Sequence, residues 1–245
     1  MKRSITLATL TGAFLIFSSC DTLNQASQVL AQTTANPTTA EIASGLKQAL
    51  EVGTTESSEK LSATDGFFGN MAIKILFPPE AQKIEKTLRS VGLNQLCDNV
   101  ILSVNRAAED AAKEAKPIFI DAIKQMTITD ASNILLSGQQ DAATQYFKRV
   151  TSSQLQAKFN PIIEASLSKT GATKYWSTAV TSYNKIPLTS KINPDLDAYV
   201  TQKAIDGLFH EIAGEELKIR TNFSARSTGL LQKVFGFADK NKGKI

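Results

Sequence analysis

His210 is the only histidine of the chain, and Asp206 precedes it by four residues, the spacing that puts two side chains on one face of a helix. A carboxylate beside an imidazole is half of a general acid–base pair. The other half is missing from the sequence, because no nucleophile is placed beside them. His210-Glu211-Ile212-Ala213-Gly214 also lacks the second histidine of a zinc-protease helix. A lone helical histidine more often serves structure or faces solvent.

Carboxylates offer more material. Glu211, Glu215 and Glu216 crowd one stretch, followed by Lys218 and Arg220. Glu216 to Arg220 has the favoured i,i+4 orientation of a helical ion pair, so solvated pairing is the plain reading. With Asp195 or Asp197 such carboxylates could build a metal or glycosidase-like site, but only if tertiary structure gathers them. Asp195 and Asp197 read more simply as a helix N-terminus, where acidic groups complement the dipole. Arg106 and Glu109 are three residues apart and pair locally, unless Arg106 crosses to Glu215 or Glu216. An arginine among carboxylates either locks a bundle or grips a carboxylate or phosphate ligand in two-pronged fashion. The structural role is the commoner one.

Asp65-Gly66-Phe67-Phe68-Gly69-Asn70 reads as a turn with two adjacent aromatics, and Ile73-Lys74-Ile75-Leu76-Phe77 alternates after it. Alternation this short suggests an extended or hairpin segment, and Asp65, Phe67 and Asn70 make it a candidate binding loop. Tyr146, Phe147, Phe159, Tyr175, Trp176 and Tyr183 fall at helical spacing, which usually means core, though such stripes can also line an apolar pocket. Cys97 shares a stripe with Leu93, Val100, Ile101 and Val104 and reads as a small buried hydrophobe.

The elements that must carry these residues are nearly all helical. Leu93 to about Ala115 repeats apolar residues every three or four positions. Pro79-Glu80 opens a helix that stops at Gly92, Thr129 or Asp130 caps a short one ended by Gly138, and Thr151 with Gln154 looks like a capping box. A helix follows around Tyr175, Asn193-Pro194-Asp195 starts a long one to about Arg220, and a short last one carries Leu230 to Phe235.

The N-terminus has a different character. Lys2 and Arg3 precede an apolar run from Ile5 to Phe17, then Ser18, Ser19 and Cys20. Charge, apolar stretch and small residues in that order read as a secretory signal. Phe17-Ser18-Ser19-Cys20 resembles the lipobox of bacterial lipoproteins, which implies lipidation at Cys20. Loss of Lys2 and Arg3 with this leader lowers the net charge of +4 by two. A nearly neutral, exported chain without a basic face is not a nucleic-acid binder.

Several motifs occur together in order: Asp65-Gly66-Phe67, Asn105-Arg106-Ala107-Ala108-Glu109, Ala142 to Phe147, and Asp195 to Thr201. Asp206-Gly207-Leu208-Phe209, Glu215-Glu216-x-x-Ile219-Arg220 and Val234-Phe235-Gly236 complete the set. In these motifs, from about Ala40 to Gly236, the chain resembles the bacterial family catalogued as domain of unknown function 4197. The resemblance implies an exported helical protein of Gram-negative bacteria, with no established activity or catalytic residues.

The expectation is therefore an all-α, single-domain helical bundle of about eight helices, with one short extended or hairpin segment near residues 65–78. Residues 1–19 form the leader, 20–38 a flexible tether with lipidated Cys20, 39–236 the domain, and 237–245 a frayed basic tail. The expected function is non-enzymatic binding at the cell envelope, of an envelope protein or an apolar ligand, with the membrane reached through the lipid anchor. A hydrolase-like enzyme on an Asp/Glu/Arg cluster and a lipid carrier are the alternatives. No cofactor or metal motif is present. The candidate polar site comprises Arg106, Glu109, Asp206, His210, Glu215, Glu216 and Arg220.

Overall fold

Nine α-helices make up most of what the computed structural model describes, namely residues 36–185, 191–193 and 195–242. The expected leader, Cys20 and the tether up to residue 35 lie outside the described residues, as do Pro194, residues 243–245 and the side chain of Tyr183. Thr38 starts α1 (Thr39–Ser62) with a capping box: its hydroxyl accepts the Glu41 N–H at 3.2 Å, and the Glu41 carboxylate accepts the Thr38 N–H at 2.7 Å. A 3₁₀ turn at Pro79–Ala81 leads into α2 (Gln82–Ser90), which ends at Gly92 with φ of +87°. Then come α3 (Asn94–Ala112), α4 (Ala115–Gln125), α5 (Ile128–Leu136), α6 (Ala142–Thr170), α7 (Ala172–Asn184), α8 (Leu196–Thr221) and α9 (Gly229–Asn241).

The architecture is all-α, as the apolar periodicity indicates, and several local expectations need correction. The cap of α5 is Thr127, which accepts the Asp130 N–H at 3.0 Å; Asp130 is the returning half of the box, and Thr129 lies inside the helix. Thr151 starts no helix. It is buried within α6, and its hydroxyl donates to the Phe147 carbonyl at 2.7 Å, so a Thr-x-x-Gln pattern is absorbed by back-bonding in a continuous 29-residue helix. α9 continues beyond Gly236 to Asn241, because Ala238 is buried and Asp239 pairs with Arg226 at 2.9 Å. Tyr175 is 58 % exposed, while its neighbour Trp176 is 3 % exposed.

No strand forms among the described residues, so the hairpin alternative for residues 65–78 fails. Residues 63–73 are a succession of turns, and 74–78 run without regular structure. The extended stretch pairs with a side chain instead of a strand: Ile75 N–H donates to Asn105 Oδ1 at 2.9 Å, and Asn105 Nδ2 donates back to the Ile75 carbonyl at 2.8 Å. One carboxamide thus stands in for a backbone partner.

Helices α3, α6 and α8 pack on one another, and α1 crosses α3, α4, α5, α8 and α9. Small residues permit this crowding. Ala107, Ala108, Ala111 and Ala112 on α3 are fully buried, and a Cβ at Gly45 of α1 would meet Val234 Cγ2 of α9 at 2.8 Å. The Phe119 ring meets those of Phe147 and Phe209 edge-on at 5.2 and 6.2 Å, joining α4, α6 and α8 in one core. Among the described residues no helix is long and apolar enough to cross a membrane.

Candidate functional site

The charged residues singled out by sequence fall into two separate devices. In the first, α3 faces the turn after α1. Glu109 is 4 % exposed, and its Oε1 accepts the N–H groups of Phe67 and Phe68 at 3.1 and 3.2 Å. Its Oε2 accepts Arg106 Nη1 at 2.6 Å, and Arg106 Nη2 reaches Asp65 Oδ1 at 2.7 Å. These hydrogen bonds, Glu109 first and Asp65 second, hold the guanidinium above its ordinary pKa. Asp65 has φ of +66°, a left-handed conformation that an L residue adopts at some cost and that Asp tolerates better than most.

Helix α8 closes the same device from the other side. Phe67 is fully buried against Gly207, where an added Cβ would stand 2.6 Å from Phe67 Cε1. Glu211, one turn along, accepts Asn70 Nδ2 at 2.7 Å and Lys60 Nζ at 2.6 Å. Asp65, Phe67, Asn70, Arg106 and Glu109 therefore do come together, with Glu211 as a partner that its spacing from His210 did not suggest. Their polar groups are spent on one another.

The second device joins α5 and α6. Glu216, 8 % exposed, accepts the N–H groups of Ala143 and Thr144 at 2.9 Å each and the Thr144 hydroxyl at 2.9 Å. These are first-turn amides of α6, whose own N-cap residue Asp141 makes no side-chain cap. Arg220 donates to Glu216 at 2.9 Å and to the carbonyls of Leu135 and Ile134, at 3.3 and 2.9 Å, at the C-terminal end of α5. One ion pair on α8 thus caps the end of one helix and the start of the next. The spaces beside Arg220 measure about 20 and 60 Å³, room for water and not for a substrate.

The remaining sequence candidates join neither device. Glu215 pairs with Lys218 at 3.0 Å. Asp206 and His210 are both exposed, and Asp206 is engaged by Gln202 at 2.9 Å and Lys203 at 3.8 Å. Asp195 caps α8, accepting the Ala198 N–H at 2.9 Å, and burial, with Asp195 and Glu164 nearby, pushes the Asp197 carboxyl upward. Cys97 is fully buried, and burial raises its thiol pKa, so it stays protonated and inert. Among the described residues no three His, Cys, Asp or Glu side chains gather as a metal site would need.

Two larger grooves stay open among the described residues. The larger, about 400 Å³, lies between α2, α3 and α7 and is lined by Phe77, Ile84, Leu88, Leu96, Val100 and Trp176, with Lys174 and Tyr175 among its lining residues. The Trp176 indole N–H is buried without an acceptor among the described residues. The other, about 350 Å³, separates the extended stretch 72–76 from α8. The shape of neither was legible in the sequence, since each depends on where elements diverge, although Tyr175 and Trp176 of the first were among the aromatics that could line a pocket.

These features define a helical domain in which charged side chains hold turns and helix ends while the apolar groove lies elsewhere. The family model described as Protein of unknown function (DUF4197) matches residues 36–236, and the chain belongs to that family. Five of the motifs that carried the resemblance supply the two devices: Asp65-Gly66-Phe67 with Arg106, Glu109 and Gly207 in one, and Ala143-Thr144 with Glu216 and Arg220 in the other. No curated protein and no solved structure matches the chain.

Proposed function

We propose that this protein is an envelope lipoprotein, anchored through Cys20, whose helical domain binds a small amphiphile without transforming it. The observation that carries the binding reading is the apolar groove between α2, α3 and α7. Its volume of about 400 Å³ falls in the range of small-molecule sites. Its apolar walls suit an aliphatic body. A buried indole N–H without an acceptor costs roughly 1–3 kcal/mol, a cost that an oxygen-bearing occupant would remove on a small shift of the ring. Lys174 lines the groove and makes no ion pair among the described residues, which favours an anionic head group. The order of charge, apolar run, serines and Cys20 supports the anchor. The hydrolase alternative finds no support in the charged clusters, since Arg106 and Glu109 share no partner with Glu216 and Arg220.

Trp176 is the only tryptophan, so its emission reports on this groove alone. In full-length protein carrying Cys20→Ser, dodecanoate is expected to shift that emission saturably, and native mass spectrometry to show the added mass. Leu96→Phe, which narrows the groove, should weaken the effect. An unchanged emission with no added mass would overturn the amphiphile reading and direct attention to a protein partner. Palmitate labelling of the wild type, absent in Cys20→Ser, tests the anchor separately.

A further inference from the structure

The second groove is lined by Ile73, Lys74, Tyr199, Lys203, Asp206 and His210 together with the backbone of residues 72–76. We propose that it is a site for a small oxyanion, a carboxylate or phosphate group, held by Lys74, Lys203, His210 and the Leu76 N–H.

Lys74, Leu76, Lys203 and His210, each with a donor, line this space, and Asp206 is the one carboxylate among the lining residues. That carboxylate, Asp206, already accepts from Gln202 at 2.9 Å. Lys74 Nζ rests 3.8 Å from the centre of the Phe68 ring, and Lys203 Nζ lies 6.0 Å from that of Tyr199. Ring faces attract ammonium groups without neutralising them, so both cations are positioned with charge to spare. Lys203 has only a long contact of 3.8 Å to Asp206, and Lys74 has no carboxylate partner among the described residues.

The backbone contributes as well. In an extended chain the N–H and C=O of one residue point to the same side, and those of its neighbour to the other. Ile75 directs both groups at Asn105, so Leu76 directs both toward α8. There the Tyr199 hydroxyl donates to the Leu76 carbonyl at 3.1 Å. Burial, with Glu80 nearby, pushes the Tyr199 phenol upward and keeps it a donor. The Leu76 N–H, on the same side, has no acceptor among the described residues. Of the candidate acid–base residues, His210 thus belongs to a set of donors around an open space, and Asp206 is the one carboxylate beside them. The geometry fits recognition of an anion.

His210, as the only histidine, supplies a single Cε1–Hε1 NMR signal at the site. Full-length Cys20→Ser protein is titrated with inorganic phosphate at one pH and constant ionic strength, and separately with phosphatidylglycerol vesicles. A saturable shift of the His210 signal with free phosphate, weakened up to about fivefold by Lys74→Ala and by Lys203→Ala, supports a soluble anion. A response to vesicles alone with the same dependence on both lysines supports a lipid head group. A shift that stays linear in both titrations, or that both lysine variants leave unaltered, overturns the proposal. Trp176 emission, read in the same samples, stays constant if the two grooves are independent, so failure here is distinguishable from failure of the apolar site.

Discussion

Replacing Glu109 by glutamine keeps its shape and removes its charge, which sets a conflict that either orientation of the amide must lose. With its oxygen toward Phe67 and Phe68, the amide nitrogen faces Arg106 Nη1, a donor against a donor where a 2.6 Å bond now stands. Turned the other way, it serves Arg106 and leaves two backbone N–H groups without their acceptor. An orphaned buried donor costs roughly 1–3 kcal/mol, and the charge-assisted bonds weaken to neutral ones. Breaking a fully buried ion pair costs about 3–5 kcal/mol. The Arg106 side chain is 36 % exposed and keeps Asp65, so water and that carboxylate recover part of the loss. The expected destabilisation is about 2–4 kcal/mol, read as a lowered urea midpoint at unchanged slope. Hydrogen exchange at the Phe67 and Phe68 amides should accelerate with it. Glu215→Gln, which touches only a local Lys218 pair, should stay within about 0.5 kcal/mol. If Glu109→Gln also costs less than about 0.5 kcal/mol and both amides keep their protection, the carboxylate does not hold this turn and the reasoning fails.

Gly207→Ala should destabilise by about 1–3 kcal/mol, because the new methyl meets the fully buried Phe67 ring; Gly214→Ala, with nothing within 4 Å, should instead stabilise by up to about 1 kcal/mol, and thermal melts of the two variants test the contrast. The Glu41 carboxylate is lowered from 4.5 to about 2, chiefly by its hydrogen bond from Lys233 and next by that from the Thr38 N–H. Its folded pKa is depressed, so its contribution is full above the unfolded value and fades as pH falls from about 4.5 toward about 2. A carboxyl ¹³C titration should place the midpoint there, and Glu41→Gln should remove that share of the acid sensitivity.

Helices were legible wherever burial followed a simple stripe. The stripe from Leu93 to about Ala115 gives α3, which stops at Ala112 because Ala115 already belongs to α4, and the Asp195 cap gives the start of α8. Thr151-x-x-Gln154 misled because a capping box and a buried threonine bonded to its own helix look alike over four residues. The end of α9 ran past the basic tail's expected start because Arg226, distant in the pattern, pairs with Asp239. The residues of the charged devices were recognisable as a set, yet their roles were not. Nothing local to Glu216 tells that the amides it accepts sit at Ala143 and Thr144, or to Glu109 that its partners are backbone N–H groups in a turn. The shape of the grooves was illegible for a related reason, since a concave surface belongs to several elements at once.

Helix α8 carries a consequence for how the domain is made. The Asn70 side chain waits for Glu211, 141 residues further on, and the Ala143 and Thr144 amides wait for Glu216, 73 and 72 residues away. A chain emerging N-terminus first has already produced α1 to α7 before the carboxylate that ties Asn70 and the side chains that secure the α5–α6 joint exist. Contacts of such long range are made late and cannot be replaced by local ones. The Asn70 tie and the α5–α6 joint are therefore completed only once α8 has been made, near the C-terminal end of the chain.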